Sequence, residues 1–428
     1  MSARRHAALH PRPHSPHLRR LSSRTIQLLL VVVSLVSLSG FSARAALAAG
    51  DRDIYIPVVS TPNPAPTGKS VRQPLFWNKP KDASVETTAS RASFIALPRV
   101  ERSYRDSLRA KGFSGKAVQY FLANEVHGPG PYADASASCD SSLTPHVNQV
   151  AYLQGDFCRY LHPNEGWFLH NGAGKRLYSW SGGRVMYHMN PASAGWRTFA
   201  LSRMVRDVLG DAVQGKLGFD GVILDNLALS TYKLRKQVDN SDGTIKEFGS
   251  DAAYREAVRG YLAILSGTLR PTGVIWANII DDYRVSRDDY MGYVQYLDGW
   301  MNEAWVVSWN SDPLSDAEYN TNLEIAELTL QQGKGMIGNV IGSRYDYNRQ
   351  AFGLASYLLI TNNSKAYFRY SDPSKYGEWW QYDNYNVALG APLGKRYAIS
   401  GGWRRDFECG YVTTTPSARS GKIVYSCR

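Results

Sequence analysis

The feature that most constrains how this chain can fold is a long alternation of short apolar runs with amphipathic helical patterns. Strands that alternate with helices are typical of parallel βαβ units. Eight strands, apolar on both faces, predict an α/β fold of the closed (β/α)₈ TIM-barrel type. An open doubly wound sheet is the alternative, but no Gly-x-Gly-x-x-Gly turn follows the first strand to favour its nucleotide-binding form. The predicted strands are residues 73–77, 93–97, 117–126, 219–225, 274–279, 297–304, 335–340 and 366–370, and the predicted helices are 101–111, 197–216, 251–270, 317–333 and 348–359.

Two segments depart from this alternation. Residues 127–195 are rich in Gly, Pro, Asn and His and predict a long loop inserted after the third strand. Loops of this length are uncommon unless they are functional. Residues 379–428 carry short Tyr-, Val- and Thr-rich runs separated by Gly and Pro, which predict a small β appendage. The barrel itself is therefore predicted to span residues 73–378.

The amino-terminal segment accounts for most of the basic charge. The chain has 49 Lys and Arg against 37 Asp and Glu, a formal charge of +12, yet residues 1–48 contain seven Arg and no acidic residue. A mostly apolar run and two small-x-small patterns follow, and together they predict a signal peptide. An uncleaved anchor is the alternative, although the run is shorter than the roughly 20 residues of a membrane span.

Once the signal peptide is removed, the charge of the chain no longer suggests a nucleic-acid partner. Without residues 1–48, 42 basic residues remain against 37 acidic ones, and no basic stripe or motif predicts binding to nucleic acid. Residues 49–72 are rich in Pro, Thr and Ser and predict an extended linker or strap. We therefore expect a secreted or cell-envelope protein with no membrane span after signal cleavage.

Four cysteines follow the signal, and their number and spacing predict disulfides. None shows Cys-x-x-Cys spacing, which disfavours a zinc site or a thioredoxin-like motif. In an oxidising compartment an even number of cysteines indicates disulfides, and four cysteines allow three connectivities. The pairs closest in sequence are favoured, namely Cys139 with Cys158 and Cys409 with Cys427.

Polar residues that end the predicted strands are the candidates for chemistry, because barrels of this type carry their active sites at the carboxyl ends of the strands. Asp225 directly follows a buried apolar run, and Glu303 closes the sixth strand in the same way. Asp220 and Asp298 start these two strands instead. At about 3.3 Å per residue, Asp220 lies roughly 16 Å from Asp225, so these two carboxylates cannot form one catalytic pair.

A carboxylate pair above a barrel is what glycoside hydrolysis requires, because one carboxylate attacks or stabilises the sugar while the other protonates the leaving oxygen. For Asp225 the alternative is an N-cap of the following helix, and for Glu303 it is a surface ion pair. Aromatic faces stack on sugar rings, but the Trp residues could equally fill the core. Candidate substrate contacts are Glu125, Tyr187, Asn226, Trp276, Asn278, Asp281, Trp300, Trp305 and Asn339.

The segment Gly218-Phe219-Asp220-Gly221-Val222-Ile223-Leu224-Asp225-Asn226 resembles the fourth-strand motif of the secreted glycosyl hydrolase family 15-like barrels and, more distantly, of the endo-α-1,4-polygalactosaminidases. The tail, with its Arg-x-Phe-x-x-Gly-x-Val pattern over residues 405–412, is also similar to the first group. The resemblance covers roughly residues 73–416. It implies that Asp225 is the nucleophile or base and that Glu303 is the proton donor. The long Cys-containing loop departs from the family pattern, and loops above a barrel set specificity.

The favoured hypothesis is a secreted glycoside hydrolase that acts on a polysaccharide or oligosaccharide with retention of configuration. Retaining enzymes place the two carboxyl groups about 5–5.5 Å apart, and inverting enzymes place them about 6.5–9.5 Å apart. A non-catalytic carbohydrate-binding barrel is the main alternative, since a fold does not fix a function. A metal-dependent hydrolase is less favoured because no His-x-His or His-Glu-x-x-His motif occurs, so no metal and no cofactor are predicted.

Overall fold

The computed structural model describes residues 71–128, 139–211, 214–237, 240–280, 286–309, 314–361 and 365–427. The predicted signal peptide, nearly all of the predicted linker and Asp281 lie outside these ranges. The strands are β1 Gln73–Phe76, β2 Ala92–Leu97, β3 Lys116–Leu122, β4 Glu125–His127, β5 Tyr178–Ser181, β6 Arg184–His188, β7 Gly221–Ala228, β8 Val274–Ile280, β9 Gly299–Asn302, β10 Gly335–Ile341, β11 Ala366–Ser371, β12 Tyr397–Ile399, β13 Gly402–Phe407, β14 Gly410–Thr415 and β15 Ser420–Tyr425. The helices are α1 Val85–Arg91, α2 Arg102–Ala110, α3 Ala194–Leu209, α4 Tyr232–Arg235, α5 Asp251–Leu269, α6 Arg287–Val294, α7 Asp316–Gln331 and α8 Tyr347–Ile360.

Eight parallel strands form a nearly closed barrel in the order β1-β2-β3-β7-β8-β9-β10-β11. The last strand returns to the first, where the Phe368 N–H donates to the Arg72 carbonyl oxygen at 2.9 Å. Helices flank this sheet, so each strand is covered on its outer face and packed against its neighbours' side chains inside. The predicted (β/α)₈ barrel is confirmed.

Local sequence signals set where several helices begin. Ser193, Ser250, Ser286 and Ser315 each accept a hydrogen bond from a backbone N–H in the first turn of the helix that follows. Ser315 also forms a reciprocal capping box with Glu318. Such caps satisfy donors that the helix leaves free, typically stabilising it by about 1 kcal/mol.

The barrel interior is filled by side chains, with the indole of Trp276 at its centre. This ring packs against Phe94 and Tyr367, at centroid distances of 4.5 and 6.0 Å. A Cβ at Gly299 on β9 or at Gly335 on β10 would lie within 2.4 Å of the same ring, so both strands need glycine at this level. The interior is therefore a packed core, as in other closed barrels of eight strands.

The structure corrects several predicted boundaries. The third barrel strand ends at Leu122, and Glu125 begins a separate strand, β4. This strand belongs to a three-stranded antiparallel sheet, in the order β4-β6-β5, and β5 and β6 lie inside the segment predicted as a loop. The short helices α1 and α6 were not predicted, because each spans only two turns or so and carries little apolar periodicity. Helix α3 ends at Leu209, where Gly210 has a φ of +84°.

The carboxyl-terminal residues form a four-stranded antiparallel sheet, β12 to β15, that packs on α8. Arg405, the first residue of the tail motif, is buried and donates to the carbonyl oxygens of Leu358, Leu359 and Thr361 at the end of α8. Gly410 of the same motif has a φ of +142°, and a Cβ there would meet the Val424 carbonyl oxygen. The tail motif therefore joins the appendage to the barrel.

Both predicted disulfides are present. Cys139 is bonded to Cys158 within the segment inserted after β3. Cys409 is bonded to Cys427, which ties the β13–β14 turn to the end of β15. The sequence-local connectivity is thus confirmed.

Candidate active site

Asp225 and Glu303 lie toward the carboxyl ends of β7 and β9, the strands on either side of β8, and one amide group on β8 joins them. The Asn278 Nδ2 atom donates to Asp225 Oδ1 at 2.8 Å and to Glu303 Oε2 at 2.7 Å. These two carboxylate oxygens are therefore no more than 5.5 Å apart, the sum of the two distances. Asn278 itself is fully buried on β8, which fixes the position of the bridge.

The carboxylate of Asp225 is surrounded by neutral donors. Tyr120 on β3 donates its hydroxyl to Oδ2 at 2.7 Å, and the Asn226 N–H donates to Oδ1 at 2.9 Å. Removal from water and the negative charge of Glu303 raise the pKa of Asp225 to about 7, although the hydrogen bonds from Asn278 and Tyr120 oppose this rise. Burial also raises the pKa of Tyr120 well above its usual value, so this phenol stays protonated and remains a donor.

Glu303 accepts hydrogen bonds from two aromatic side chains. Trp77 Nε1 donates to Oε1 at 2.9 Å, and the Tyr376 hydroxyl donates to the same atom at 2.6 Å. Asn339 on β10 donates to the Glu303 carbonyl oxygen at 2.8 Å, which fixes the backbone just after β9. Burial and the charge of Glu303 raise the pKa of Tyr376 well above its usual value, so it too remains a donor.

A bulge in β7 places the third carboxylate of the site. The register with β8 shifts between Leu224 and Leu227, and Asn226 within the bulge has a φ of +57°. Asparagine tolerates this left-handed conformation better than most residues, and bulges re-aim side chains next to active sites. As a result, the Asn226 amide donates to Glu125 Oε2 at 2.7 Å while Asp225 faces Asn278.

Glu125 begins β4 in the inserted sheet and lies next to His188, with Oε1 and Nδ1 3.4 Å apart. Burial raises the pKa of Glu125, but the hydrogen bond and charge of His188 and the hydrogen bond from Asn226 outweigh it, so the net pKa is lowered. Glu125 is therefore held as an anion, whereas the pKa of Asp225 is raised. The inserted segment thus supplies an ionised group beside the two barrel carboxylates.

The structure does not bring every predicted contact into the site. Trp276 fills the barrel interior, and Trp300 is buried on the outer side, where its Nε1 donates to Thr329 on α7 at 2.7 Å. Trp305 is fully buried against Gly338, so its ring offers no face to a ligand. Tyr187 stacks on Phe157 in the core of the insert, on the opposite face of β6 from His188. All four side chains are buried in apolar cores, because apolar packing decides their direction.

Four residues that contact the site were not predicted, namely Trp77, Tyr120, His188 and Tyr376. Trp77 directly follows β1 with a φ of +68°, which orients its indole toward Glu303. A bulky residue in this region is strained by about 1–3 kcal/mol, and such strain clusters at functional sites. A polar-tipped aromatic at a strand end was the available signal for Trp77, whereas Tyr376 lies in an irregular segment that carries none.

The described residues contain no group of three or more His, Cys, Asp or Glu side chains arranged to hold a metal ion. Across the same ranges, no helix has the length and apolar character needed to cross a bilayer.

Comparison with known proteins identifies the family. The model of hypothetical glycosyl hydrolase family 15 matches residues 132–411. The match spans the insert, most barrel strands and the tail motif, and the chain belongs to this family. The protein is accordingly a glycoside hydrolase, as the sequence predicted. No curated protein matches the sequence.

Comparison with solved structures finds several that are similar to this chain. One is the glycoside hydrolase domain of PelA from Pseudomonas aeruginosa, at 14% identity and a TM-score of 0.43, covering 72% of this chain and 96% of that chain. Another is the α-N-acetylgalactosaminidase NagBb from Bifidobacterium bifidum, at 11% identity and a TM-score of 0.40, covering 82% of this chain and 57% of that chain.

Proposed function

We propose that this glycoside hydrolase cleaves its substrate with retention of configuration, using Asp225 as the nucleophile and Glu303 as the acid and base. The observation that carries the proposal is the shared hydrogen bond from Asn278, which limits the nearest carboxylate oxygens to 5.5 Å. Retaining enzymes require about 5–5.5 Å between the carboxyl groups, whereas inverting enzymes leave about 6.5–9.5 Å for a water molecule.

The reaction starts when an oxygen of Asp225 attacks the anomeric carbon as the bond to the leaving oxygen breaks. Glu303 gives its proton to that oxygen, and a covalent glycosyl-enzyme results. Glu303, now ionised, then takes a proton from water. The resulting hydroxide-like oxygen attacks the anomeric carbon from the opposite side and releases Asp225, so the pair returns to its starting state.

The electrostatics of the pair suit this division of labour. Two carboxylates so close together cannot easily both ionise, so the pair retains one proton near neutral pH. The rise in the pKa of Asp225 comes partly from the charge of Glu303. When the proton is on Glu303 this repulsion disappears, and Asp225 is stabilised as the anion by Tyr120 and Asn278. The proposed mechanism starts from the form of the pair in which Glu303 holds the proton and Asp225 is the anion.

The aromatic donors hold Glu303 in position rather than react. Trp77 and Tyr376 both bond to Oε1, which leaves Oε2 next to Asn278 as the oxygen facing Asp225. Preorganised neutral donors of this kind stabilise charge that develops during reaction without having to reorient.

A polysaccharide panel assayed for new reducing ends tests the activity itself. The decisive experiment for the roles then uses Asp225→Gly and Glu303→Gly variants with added azide and an aryl glycoside of the sugar that the panel identifies. We expect Asp225→Gly to give a glycosyl azide of inverted configuration and Glu303→Gly to give one of retained configuration, as the two-step mechanism requires. The opposite pattern would exchange the two roles, and direct inversion by the wild-type enzyme would refute retention.

We also propose that the enzyme works outside the cytoplasm, after cleavage of a signal peptide at about residue 48. The two disulfides support this proposal, because such bonds persist in oxidising compartments. The catalytic barrel would then span residues 73–378 and the appendage 379–428. Amino-terminal sequencing of the exported protein tests the cleavage site.

A further inference from the structure

Arg369 on β11 is a buried arginine without an ion-pair partner in the described part of the chain. Only 3% of it is exposed, and the Tyr376 side chain contacts both its guanidinium and Glu303. Arginine is almost never fully buried unless it is paired. Arg405 is a second arginine of this kind, and it joins the appendage to α8 through three carbonyl oxygens. Arg369 instead joins two segments that both reach Glu303.

The guanidinium of Arg369 binds the backbone of these two segments, which are far apart in the sequence. It donates to the Phe76 carbonyl oxygen at 3.4 Å and to the Tyr376 carbonyl oxygen at 3.0 Å. Its central carbon lies 4.4 Å from the centre of the Phe76 ring and 5.6 Å from that of Tyr376. Trp77 directly follows Phe76 in the chain. One side chain therefore fixes the backbone beside both residues that donate to Glu303 Oε1.

This connection depends on the shape of the guanidinium. The nitrogen that donates to Tyr376 also donates to the Glu378 carbonyl oxygen at 2.9 Å, while the other terminal nitrogen reaches Phe76. Arginine presents its donors in a rigid planar fork, whereas lysine has all of its donors on one nitrogen atom. A lysine at this position would keep the charge but could not hold both segments in the same way.

The charge of Arg369 also acts on Glu303. The titratable groups that face Arg369 are the carboxyl groups of Asp82 and Glu303 and the phenols of Tyr376 and Tyr385. Burial raises the pKa of both phenols, so they stay neutral. Burial lowers the pKa of Arg369 to about 10, which leaves it charged near neutral pH. Glu303 is therefore one of two carboxyl groups that this buried charge can stabilise as an anion.

We propose that Arg369 is a positioning residue for Glu303. It holds Trp77 and Tyr376 against the same carboxylate oxygen, and its charge favours the ionised Glu303 that remains after proton transfer. This role rests on the proposed function, because it assigns Arg369 to the group that gives and takes the proton. Since Arg369 is buried, it acts on the reaction only through these neighbours.

The test of the charge is a pH titration by carbon-13 NMR of the full chain, labelled at the side-chain carboxyl carbon of glutamate. The Glu303 signal is the one that is missing in Glu303→Gln. Arg369→Gln removes the charge but keeps an amide donor, and we expect it to raise the pH at which Glu303 loses its proton by about 0.5–1 unit, less than removal of a cation in direct contact would. Arg405→Gln, the matched loss of a buried cation bound to carbonyl oxygens, should leave the titration unchanged. No change in Arg369→Gln, or the same change in Arg405→Gln, would overturn the proposal.

The test of the fork is Arg369→Lys, which keeps the charge and is the variant to use if the neutral one does not fold. We expect its Glu303 titration to match the wild type and its kcat/KM to fall by about 3–10-fold, as for a displaced hydrogen bond. In a Tyr376→Phe background the same substitution should cause a smaller loss, because one of the bonds that it disturbs is already absent. Equal losses in the two backgrounds would overturn the positioning role. The NMR titration needs no substrate, so its result is separable from failure of the catalytic roles proposed for Asp225 and Glu303.

Discussion

Strands β7 and β9 each have a carboxylate residue toward both ends. The carboxylates at the amino ends have different contacts from those at the carboxyl ends. At the amino ends, Asp220 accepts from the Ala117 N–H and pairs with Arg109, and Asp298 accepts from the Ile275 N–H and pairs with Arg270. Each ties its strand to a neighbour. At the carboxyl ends, within the described part of the chain, Asp225 and Glu303 have no ion-pair partner, and their contacts are neutral donors.

The comparison indicates that carboxylates at the amino ends of the strands stabilise the barrel, whereas those at the carboxyl ends are kept reactive. A carboxylate beside Arg is held ionised and gains from the pairing. A carboxylate among phenol, indole and amide groups, next to another carboxylate, can carry a proton near neutral pH. The end of the strand, rather than the residue type, decides between these states, as is general for barrels of this kind.

The largest expected effect is on turnover. Asp225→Asn and Glu303→Gln should each lower kcat/KM by about 10³-fold or more, because each removes a group that forms or breaks bonds with the substrate. Asp220→Asn and Asp298→Asn, the same kind of change at the other strand ends, should leave kcat/KM within about threefold. Reducing-end assays on all four variants check this contrast. Comparable losses at both ends would contradict it.

The next largest expected effect is on how the free energy of unfolding depends on pH. The pKa of Asp225 is raised from its ordinary value of 3.8 to about 7 in the folded protein, so the folded state binds the proton more tightly than the unfolded chain. Its contribution to stability is therefore present below about pH 4 and is lost as pH rises through about 7. Asp225→Asn, which stays neutral, should exceed the wild type in stability by on the order of a few kcal/mol at about pH 8.

Chemical denaturation of both proteins across this pH range measures the difference. The advantage of Asp225→Asn should shrink as the pH falls toward about 4, where the wild-type side chain is protonated. An advantage that is constant with pH would show that the Asp225 carboxylate is not destabilised in the folded protein.

Smaller losses of stability are expected at the amino ends of the same strands. Asp220→Ala and Asp298→Ala should each lower the free energy of unfolding by about 1–3 kcal/mol, because each loses a bond to a backbone N–H and a half-exposed ion pair. High salt should reduce this loss of stability only in part, because salt screens the ion pair but not the backbone hydrogen bond. Urea denaturation measures the loss of stability in both variants. Unchanged stability would show that Asp220 and Asp298 do not stabilise the barrel.

The smallest effect sharpens the role of the neutral donors. Tyr376→Phe removes one hydrogen bond to Glu303 and should lower kcat/KM by about 5–10-fold with little change in stability. Tyr382→Phe is the matched control, because its hydroxyl donates to the Arg344 carbonyl oxygen, outside the pair. Equal kinetics for the two variants would show that the Tyr376 bond does not support Glu303.

The barrel could be predicted from the sequence because it depends on periodicity, which is a local property. Asp225, Glu303 and Asn278 could be proposed for the same reason, since parallel strands bring their carboxyl ends to one edge. The burial of Trp276, Trp300 and Trp305 could not be read from the sequence, because packing, and not position along a strand, decides which way a large ring points. The inserted sheet was missed because its strands have only three to five residues.

By itself the sequence determined the class of fold and which strand ends could hold carboxylates, because these follow from pattern and spacing along the chain, and it favoured one of three cysteine pairings, which the structure confirms. Only the tertiary structure decided that one Asn amide joins Asp225 to Glu303, that a bulge turns Asn226 toward Glu125, and that Trp77 and Tyr376 meet at Glu303. The physical reason is distance. These contacts join residues 25 to 226 positions apart, so they exist only after the barrel has closed around them.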